Sequence, residues 1–164
     1  MDEQFLNDDT LLNDPTFIKA KDRALYILGY KSYTEREMRN KLREQQYSAE
    51  IIDAVIAVLK HYAFIDDNAY AQKFAEDRKT AKHFGNRRIQ YELIQKGVSA
   101  QIVDEVLNNL SEEHDELDDA VYLLRKKYPA IDSEKEKARA VGYLQRRGFS
   151  WNIIKETFRM ADDE

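Results

Sequence analysis

Residues 93–103 read LIQKGVSAQIV, and this segment decides the fold because the chain contains it three times. The same pattern occurs 51 residues earlier as LREQQYSAEII (42–52) and 51 residues later as LQRRGFSWNII (144–154), without a gap. Each copy opens with leucine and has serine at its seventh position and isoleucine at its tenth. A recurrence at one fixed spacing indicates an internal repeat of a single supersecondary unit.

Each copy predicts a helix, a tight turn and a second helix. Gly97 and Gly148 stand where a left-handed residue would end the first helix, since glycine adopts that conformation without a Cβ penalty. A serine then caps the next helix, where its oxygen can accept from an unpaired backbone N–H and contribute about 1 kcal/mol relative to alanine. The predicted N-caps are Ser48, Ser99 and Ser150.

Helix signals outside the copies complete three trios. Asp14-Pro15 predicts an N-cap followed by proline at the first helical position, while Thr34 to Glu37 and Ser133 to Glu136 have the spacing of capping boxes. The predicted helices are 15–30, 35–46, 49–63, 67–82, 86–96, 100–110, 115–128, 134–147 and 151–160. Because one trio is too small to bury its own apolar face, we predict an all-α protein of three tandem three-helix repeats stacked into an elongated, curved array.

The repeats and the acidic segments between them define the predicted organisation of the chain. Acidic residues without lysine or arginine mark a flexible leader, a connector and a tail. The predicted segments are an acidic leader at 1–14, repeat 1 at 15–65, repeat 2 at 66–110, an acidic connector at 111–114, repeat 3 at 115–161 and an acidic tail at 162–164.

The net charge of −5 conceals a basic body. Fourteen of the 31 acids lie in residues 1–16, 111–119 and 162–164, which contain no lysine or arginine. The other 136 residues carry 26 basic and 17 acidic side chains, a net charge of +9. The acidic segments are expected to be solvated, with autoinhibition or contact with a partner as the alternative.

Several function classes have no support in the sequence. There is no cysteine, the three histidines are isolated, and neither a phosphate-binding glycine-rich loop nor a Ser/His/Asp set occurs. We therefore predict no catalytic residue, no metal site, no cofactor and no enzyme activity. No signal peptide and no long apolar run is recognised, so we expect a soluble, cytoplasmic protein.

Basic side chains recur on the middle helix of each trio or beside it. Solvation accounts for any one of them, but recurrence in all three repeats favours a strip that meets phosphate or an acidic protein groove. The predicted contact residues are Lys82, Arg87, Arg88, Arg146, Arg147, Arg36 and Arg39. Five tyrosines beside apolar stripes are expected to pack in the core or between repeats: Tyr26, Tyr62, Tyr70, Tyr91 and Tyr122.

The middle repeat carries the most specific motifs. They are Asp66-Asp67-x-x-Tyr70-Ala71 and Gly85-x-x-Arg88-Ile89-x-x-Glu92-Leu93, preceded by Tyr33-Thr34-Glu35 and Lys41-Leu42 and followed by Leu144 to Phe149 in register. In this order, over residues 20–160, they resemble the RecX family of regulatory proteins. The resemblance implies three tandem three-helix units that bind the RecA recombinase. It also implies that the protein lodges in the helical groove of the RecA–DNA filament and mainly inhibits assembly, ATP hydrolysis, strand exchange and coprotease activity.

The expected partner is therefore the RecA filament, bridged across successive protomers. Because the leader and the net charge are acidic, we expect DNA contact mainly through the filament and only weak binding to DNA alone. We also expect no membrane contact and a monomer. Two alternatives stay open. A general nucleic-acid-binding module would bind DNA alone, with an affinity that falls steeply as salt rises. A helical adaptor would bind some other protein.

Overall fold

The computed structural model describes residues 3–113 and 115–162, and every regular element among them is an α-helix. Two short helices precede nine longer ones. They are α1 (Glu3–Leu6), α2 (Asp9–Leu12), α3 (Pro15–Leu28), α4 (Glu35–Glu44), α5 (Ala49–His61), α6 (Asp67–Lys82), α7 (Asn86–Gln95), α8 (Ala100–Glu113), α9 (Glu116–Lys127), α10 (Glu134–Arg147) and α11 (Trp151–Asp162). The predicted all-α fold of tandem three-helix repeats is confirmed, with helix ends that differ by at most three residues.

The segment predicted as a flexible acidic leader contains α1 and α2. Asp8 caps α2 by accepting hydrogen bonds from Thr10 N and Leu11 N, both at 3.1 Å. Helix α1 packs against α5, and the partly buried Leu11 and Leu12 pack against the core. The structure differs from the prediction because apolar residues among the acids bury surface against the neighbouring helices.

The predicted connector at 111–114 also differs. Residues 111–113 belong to α8, since neither glycine nor proline interrupts the helix there. His114 lies outside the described residues, as do 163 and 164 of the predicted tail, while Asp162 ends α11. The next helix begins after Asp115, whose side chain accepts from Leu117 N at 2.8 Å.

Side-chain caps begin many of the helices. Asp14 accepts from Thr16 N at 2.7 Å and Phe17 N at 3.1 Å, and these bonds lower the pKa of its carboxyl group. Thr34 and Glu37 form a reciprocal capping box at α4. Serine Oγ atoms accept from the backbone N–H three residues later at α5, α8, α10 and α11, in the pairs Ser48 with Ile51, Ser99 with Ile102, Ser133 with Glu136 and Ser150 with Ile153.

The chain divides into two compact units, Met1–Tyr70 with Lys96–Val98 and Ala71–Gln95 with Ser99–Glu164. In unit 1, α3, α4 and α5 enclose a core whose largest fully buried side chains are Phe17, Met38, Leu42, Ile56 and Leu59. In unit 2, α7 packs on α8, and α9, α10 and α11 enclose a core that includes Leu124, Leu144, Phe149 and Ile154. Among the described residues, no helix has the length and apolar character that crossing a bilayer requires.

Candidate interaction surface

Each unit contains a contact, called here a joint, between the beginning of one helix and the turn after a later helix. The beginning of α4 meets the turn after α7 in unit 1, and the beginning of α7 meets the turn after α10 in unit 2. The first joint, in unit 1, consists of Thr34–Glu37, Asp67 and Lys96–Val98. The second joint, in unit 2, consists of Gly85–Arg88, Glu116 and Arg147–Phe149. Corresponding residues of the helix starts and of the turns are 51 apart in the sequence, so the two joints can be compared position by position.

Side chains close the first joint. Thr34 Oγ1 donates to Lys96 O at 2.6 Å, and Asp67 Oδ1 accepts from Glu35 N at 2.9 Å. Lys96 Nζ lies 3.1 Å from Glu37 Oε1. Burial by itself would lower the pKa of Lys96, but its bonds to Glu37 and a tyrosine outweigh burial and raise it. Glu37 and Lys96 therefore compensate each other's charge within the first joint.

Backbone groups close the second joint. Gly85 N donates to Arg147 O at 2.9 Å, and Arg87 N donates to Gly148 O at 3.2 Å. Glu116 Oε1 accepts from Asn86 N at 2.9 Å, as Asp67 does at the first joint. A Cβ on residue 85 would overlap the backbone of the facing turn, so glycine is what allows the two backbones to meet.

A left-handed glycine faces an arginine at both joints. Gly97 has a φ of +91° and lies against the side chain of Arg36, while Gly148 has a φ of +96° and lies against Arg88. Added Cβ atoms would overlap the arginine in each case. The two glycines therefore end their helices and also make room for the facing helix.

An open cavity of about 730 Å³ lies beside the second joint and is called here the basic cleft. Five of its eleven lining residues are basic and none is acidic. The lining residues come from the end of α6, the turn after it, α7, α9 and α10, and they are Ala81, Lys82, His83, Phe84, Arg88, Tyr122, Leu123, Lys126, Tyr143, Arg146 and Arg147.

Phe84 organises one wall of the basic cleft. Its side chain is buried, and the guanidinium carbons of Arg88 and Arg147 lie 4.0 Å and 5.4 Å from its ring centroid. Arg147 donates to Lys82 O at 2.8 Å, and Arg88 donates to Arg146 O at 3.1 Å. Aromatic faces and carbonyl oxygens thus hold these two guanidinium groups in place.

Glu92 anchors Arg88 from behind the wall. Its carboxylate accepts from Arg88 Nε at 3.0 Å and from Arg78 Nε at 2.8 Å. Burial would raise the pKa of Glu92, but the two arginines outweigh burial and hold that pKa below 4.5. Glu92 is therefore ionised at neutral pH and compensates the charge of Arg88.

A second polar cluster lies behind His83. His83 Nδ1 is 2.5 Å from Asp119 Oδ1, and its ring is 4.7 Å from the ring of Tyr122. Lys79 Nζ is 4.0 Å from Asp119 Oδ2, and only 3% of Lys79 is exposed. Burial lowers the pKa of Lys79, although nearby carboxylates oppose the shift. Asp119 therefore supports the wall of the basic cleft without lining it.

The structure brings four of the predicted contact residues together in the basic cleft, namely Lys82, Arg88, Arg146 and Arg147. Arg87 is exposed on α7. Arg36 packs on Gly97 in unit 1. Arg39 is engaged within unit 1, with Nε 2.9 Å from Glu35 and NH1 2.6 Å from Asp53.

Sequence reasoning missed the contribution of α9 and of the aromatic side chains. Lys126 lines the basic cleft, and its Nζ lies 3.2 Å from the hydroxyl of Tyr122. The expectation that the tyrosines pack is wrong for four of the five, whose side chains are exposed: Tyr26, Tyr62, Tyr91 and Tyr122. The one available signal was the cluster of basic residues at the end of α9.

Comparison with known proteins accounts for all three repeats. Family models for the first, second and third three-helix domains of RecX match residues 20–59, 66–107 and 114–158. The Regulatory protein RecX of Clostridium acetobutylicum is 33% identical over 165 residues, which cover 97% of this chain and 75% of the relative. The Regulatory protein RecX of Chlorobium phaeobacteroides is also 33% identical, over 85% of this chain and 91% of its own length.

Two solved structures have the same fold. The crystal structure of RecX from Lactobacillus salivarius superposes with a TM-score of 0.81 at 24% identity, covering 91% of this chain and 98% of that chain. A second crystal structure, of a regulatory protein RecX, gives a TM-score of 0.77 at 25% identity, covering 91% of this chain and 74% of that chain.

Proposed function

The chain belongs to the RecX family of regulatory proteins, and from that membership we propose that it regulates the RecA recombinase by binding in the helical groove of the RecA–DNA filament. The bound protein would mainly inhibit filament growth, ATP hydrolysis, strand exchange and coprotease activity. The family is one of regulatory proteins and not of enzymes. The observation that carries the proposal is the match to relatives named Regulatory protein RecX over 97% of the chain.

The second joint supplies the surface that we assign to the filament. Arg87 on α7 is an exposed residue of this joint, and the exposed Arg146, which lines the basic cleft, directly precedes the joint on α10 of the same unit. A filament that contains DNA has a high density of negative charge, which a cationic surface complements. We place the exposed Arg36 in the same role for unit 1. Arg39 stays a predicted contact, with its guanidinium group paired to Glu35 and Asp53.

The proposal is tested by measuring ATP hydrolysis by the cognate RecA on single-stranded DNA while this protein is titrated, with DNA coverage and salt fixed. We expect substoichiometric loss of activity, because a protein that blocks filament growth acts on many RecA protomers. No change at saturating concentration, with RecA confirmed active, would overturn the proposal.

The contact surface has its own test. Arg87→Glu is expected to weaken inhibition about tenfold, equivalent to about 1.4 kcal/mol of binding free energy. Arg139→Glu is the matched control, because it reverses one exposed charge on α10 outside the joint. Equal inhibition by the Arg87→Glu variant and the wild-type protein would remove Arg87 from the contact. Arg88 is unsuitable for this test because Glu92 binds it within the fold.

Binding to DNA without RecA separates the proposal from a general nucleic-acid-binding module. We expect weak binding to single-stranded DNA alone at physiological salt. Tight binding with a steep salt dependence, together with unchanged RecA ATPase activity, would favour the module instead.

A further inference from the structure

We propose that the basic cleft is a binding site for a ligand that carries several phosphate groups. The isolated protein would bind this ligand without RecA, so the proposal stands or falls independently of the proposed function. Its support comes from the charge of the cleft, from the comparison of the two joints, and from the shape and chemistry of the walls.

The comparison of the joints shows that holding the chain together does not require the positive charge. At the first joint, Glu37 and Lys96 form an ion pair. The positions 51 residues later are Arg88 and Arg147, so two cations replace one anion and one cation. Both joints nevertheless close around a left-handed glycine. Arg88 packs against Gly148 and is paired with Glu92, so within the described residues Arg147 is the cation of this exchange that has no carboxylate partner.

Most of that charge is uncompensated. Arg88 is paired with Glu92, but within the described part of the chain the other four basic lining residues form no ion pair with a carboxylate. These four residues are Lys82, Lys126, Arg146 and Arg147. The observed side-chain contacts of Lys82, Lys126 and Arg147 are with aromatic rings, a hydroxyl group and a backbone carbonyl. Like charges gathered in a concave site repel one another, and a bound polyanion would offset that repulsion.

The shape of the cleft favours several phosphates over one. A volume of about 730 Å³ lies within the range of roughly 300–1,000 Å³ that small-molecule sites occupy, and it far exceeds the size of one phosphate ion. Arginine forks bind phosphate oxygens in pairs, while lysine ammonium groups act as mobile point charges. The cleft offers both, with Arg147 fixed by its bond to a carbonyl and Lys126 close to the solvent.

An exposed aromatic wall adds a second kind of contact. Tyr122 is 46% exposed although it lines the cleft, and its ring lies beside that of His83. Such a ring can pack against a sugar or a base attached to the phosphates. The shared chemistry is thus linked phosphate groups, which a nucleoside di- or triphosphate or the backbone of a nucleic acid can supply.

Inorganic tripolyphosphate is the first probe, because it carries the phosphates without a sugar or a base. Isothermal titration of the full chain with tripolyphosphate at low salt is expected to give saturable binding of one ligand per chain. The double variant Lys82→Glu/Lys126→Glu is expected to weaken binding at least about tenfold. The control Lys135→Glu/Arg139→Glu makes the same change in net charge at exposed positions of α10 outside the cleft, and we expect it to bind within about twofold of wild type.

A milder double variant, Lys82→Gln/Lys126→Gln, keeps the test decisive if charge reversal disturbs folding. Far-ultraviolet circular dichroism checks each variant, and the glutamine pair is expected to lose affinity less than the glutamate pair. No binding of tripolyphosphate and of the other probes by the wild-type protein would overturn the proposal. An equal loss of affinity in the α10 control would overturn it too, because general charge attraction would then explain binding.

Two further probes distinguish the sources of the phosphates. Competition by ATP against tripolyphosphate, with no competition by a dT oligonucleotide, would assign the site to a free nucleotide. Binding of the oligonucleotide that depends on Lys82 and Lys126, without binding of either small ligand, would assign the phosphates to a nucleic-acid backbone. Because none of these mixtures contains RecA, a failure to bind phosphates would leave inhibition of the RecA ATPase to be decided separately.

Discussion

The first and second joints solve one packing problem with different chemistry. At the first joint a threonine hydroxyl satisfies Lys96 O, while at the second joint the backbone N–H of Gly85 satisfies Arg147 O. At the first joint the Thr34 side chain makes the contact with the facing backbone, whereas at the second joint Gly85 has no side chain and its backbone makes the contact directly. Equivalent carbonyl groups are therefore satisfied by a side chain in one unit and by the main chain in the other.

The charges at the two joints differ for a separate reason. Glu37 and Lys96 form an ion pair at the first joint. Both of the corresponding residues at the second joint, Arg88 and Arg147, are cations, and Arg88 is paired with Glu92 from outside the joint. An arginine packs against the left-handed glycine at both joints, but Arg36 and Arg88 are not at corresponding positions. The two joints thus share the contact between a left-handed glycine and an arginine, whereas the charged residues around that contact differ.

The largest expected effect is on the second joint. Gly148→Ala should lower the free energy of unfolding by about 4 kcal/mol, because it combines left-handed strain with overpacking. The new Cβ would overlap the backbone of Arg88 as well as its side chain, so the helix itself must shift. Urea unfolding followed by circular dichroism measures the change. A loss below about 1 kcal/mol would show that this joint is not tightly packed.

The same substitution should cost less at the first joint. Gly97→Ala is expected to lower the free energy of unfolding by about 2 kcal/mol, mainly through left-handed strain. The atoms nearest to the new Cβ all belong to the Arg36 side chain, which can move in part. Both variants are measured under the same conditions. A larger decrease in the free energy of unfolding for Gly97→Ala than for Gly148→Ala would show that the first joint, and not the second, is the more tightly packed.

Glu92 should give the second joint a dependence on pH. Glu92→Gln is expected to lower the free energy of unfolding by about 1.5 kcal/mol at pH 7, since bonds to two arginines lose their charge assistance. The pKa of Glu92 is lower in the folded chain than its ordinary value of 4.5. The unfolded state then binds more protons just below pH 4.5, so this stabilisation is complete above pH 4.5 and is lost as the pH falls through the folded pKa.

Urea midpoints of wild type and Glu92→Gln at pH 7 and pH 3 check that dependence. The difference in midpoint between the two proteins should narrow at pH 3, because below pH 4.5 the unfolded wild-type chain binds a proton at Glu92 more readily than the folded chain does. A gap of the same size at both pH values would show that the two arginines do not depend on the charge of Glu92.

The smallest expected effect is at the turn of the first repeat. Gln46 has a φ of +65° and an exposed side chain, whereas the glycines of the other two turns face an arginine. Gln46→Gly should raise the free energy of unfolding by about 0.5 kcal/mol, because it relieves left-handed strain while adding some chain entropy. A lower free energy of unfolding for Gln46→Gly, measured by the same urea unfolding, would indicate that the Gln46 side chain makes a stabilising contact.

Local signals predicted the nine longer helices. Asp14 with Pro15 and the capping box of Thr34 with Glu37 lie where the helices begin, and Gly148 occupies the left-handed C-cap of α10. The two helices before Pro15 were missed because four residues are too few to show a helical period. Their conformation depends on packing against helices that lie later in the chain.

The sequence predicted that the candidate site is basic, but not which residues come together to form it. The sequence identified a recurrent basic strip, but it could not separate Arg39, which two carboxylates neutralise, from Arg146, which lines the basic cleft. It also gave no reason to join Lys126 and Tyr122 to residues of the preceding repeat. The partners of a surface charge come from distant parts of the chain, so periodicity within a helix carries no information about them.

The sequence by itself determined the nine longer helices, the turns and the threefold repeat, because helix periodicity and capping act between residues only a few positions apart. Tertiary structure alone decided which glycine faces an arginine, which carbonyl is satisfied by which donor, and which cations remain uncompensated. Those outcomes depend on pairs such as Thr34 with Lys96 and Lys82 with Arg147, which are about 60 residues apart and meet only when the repeats pack.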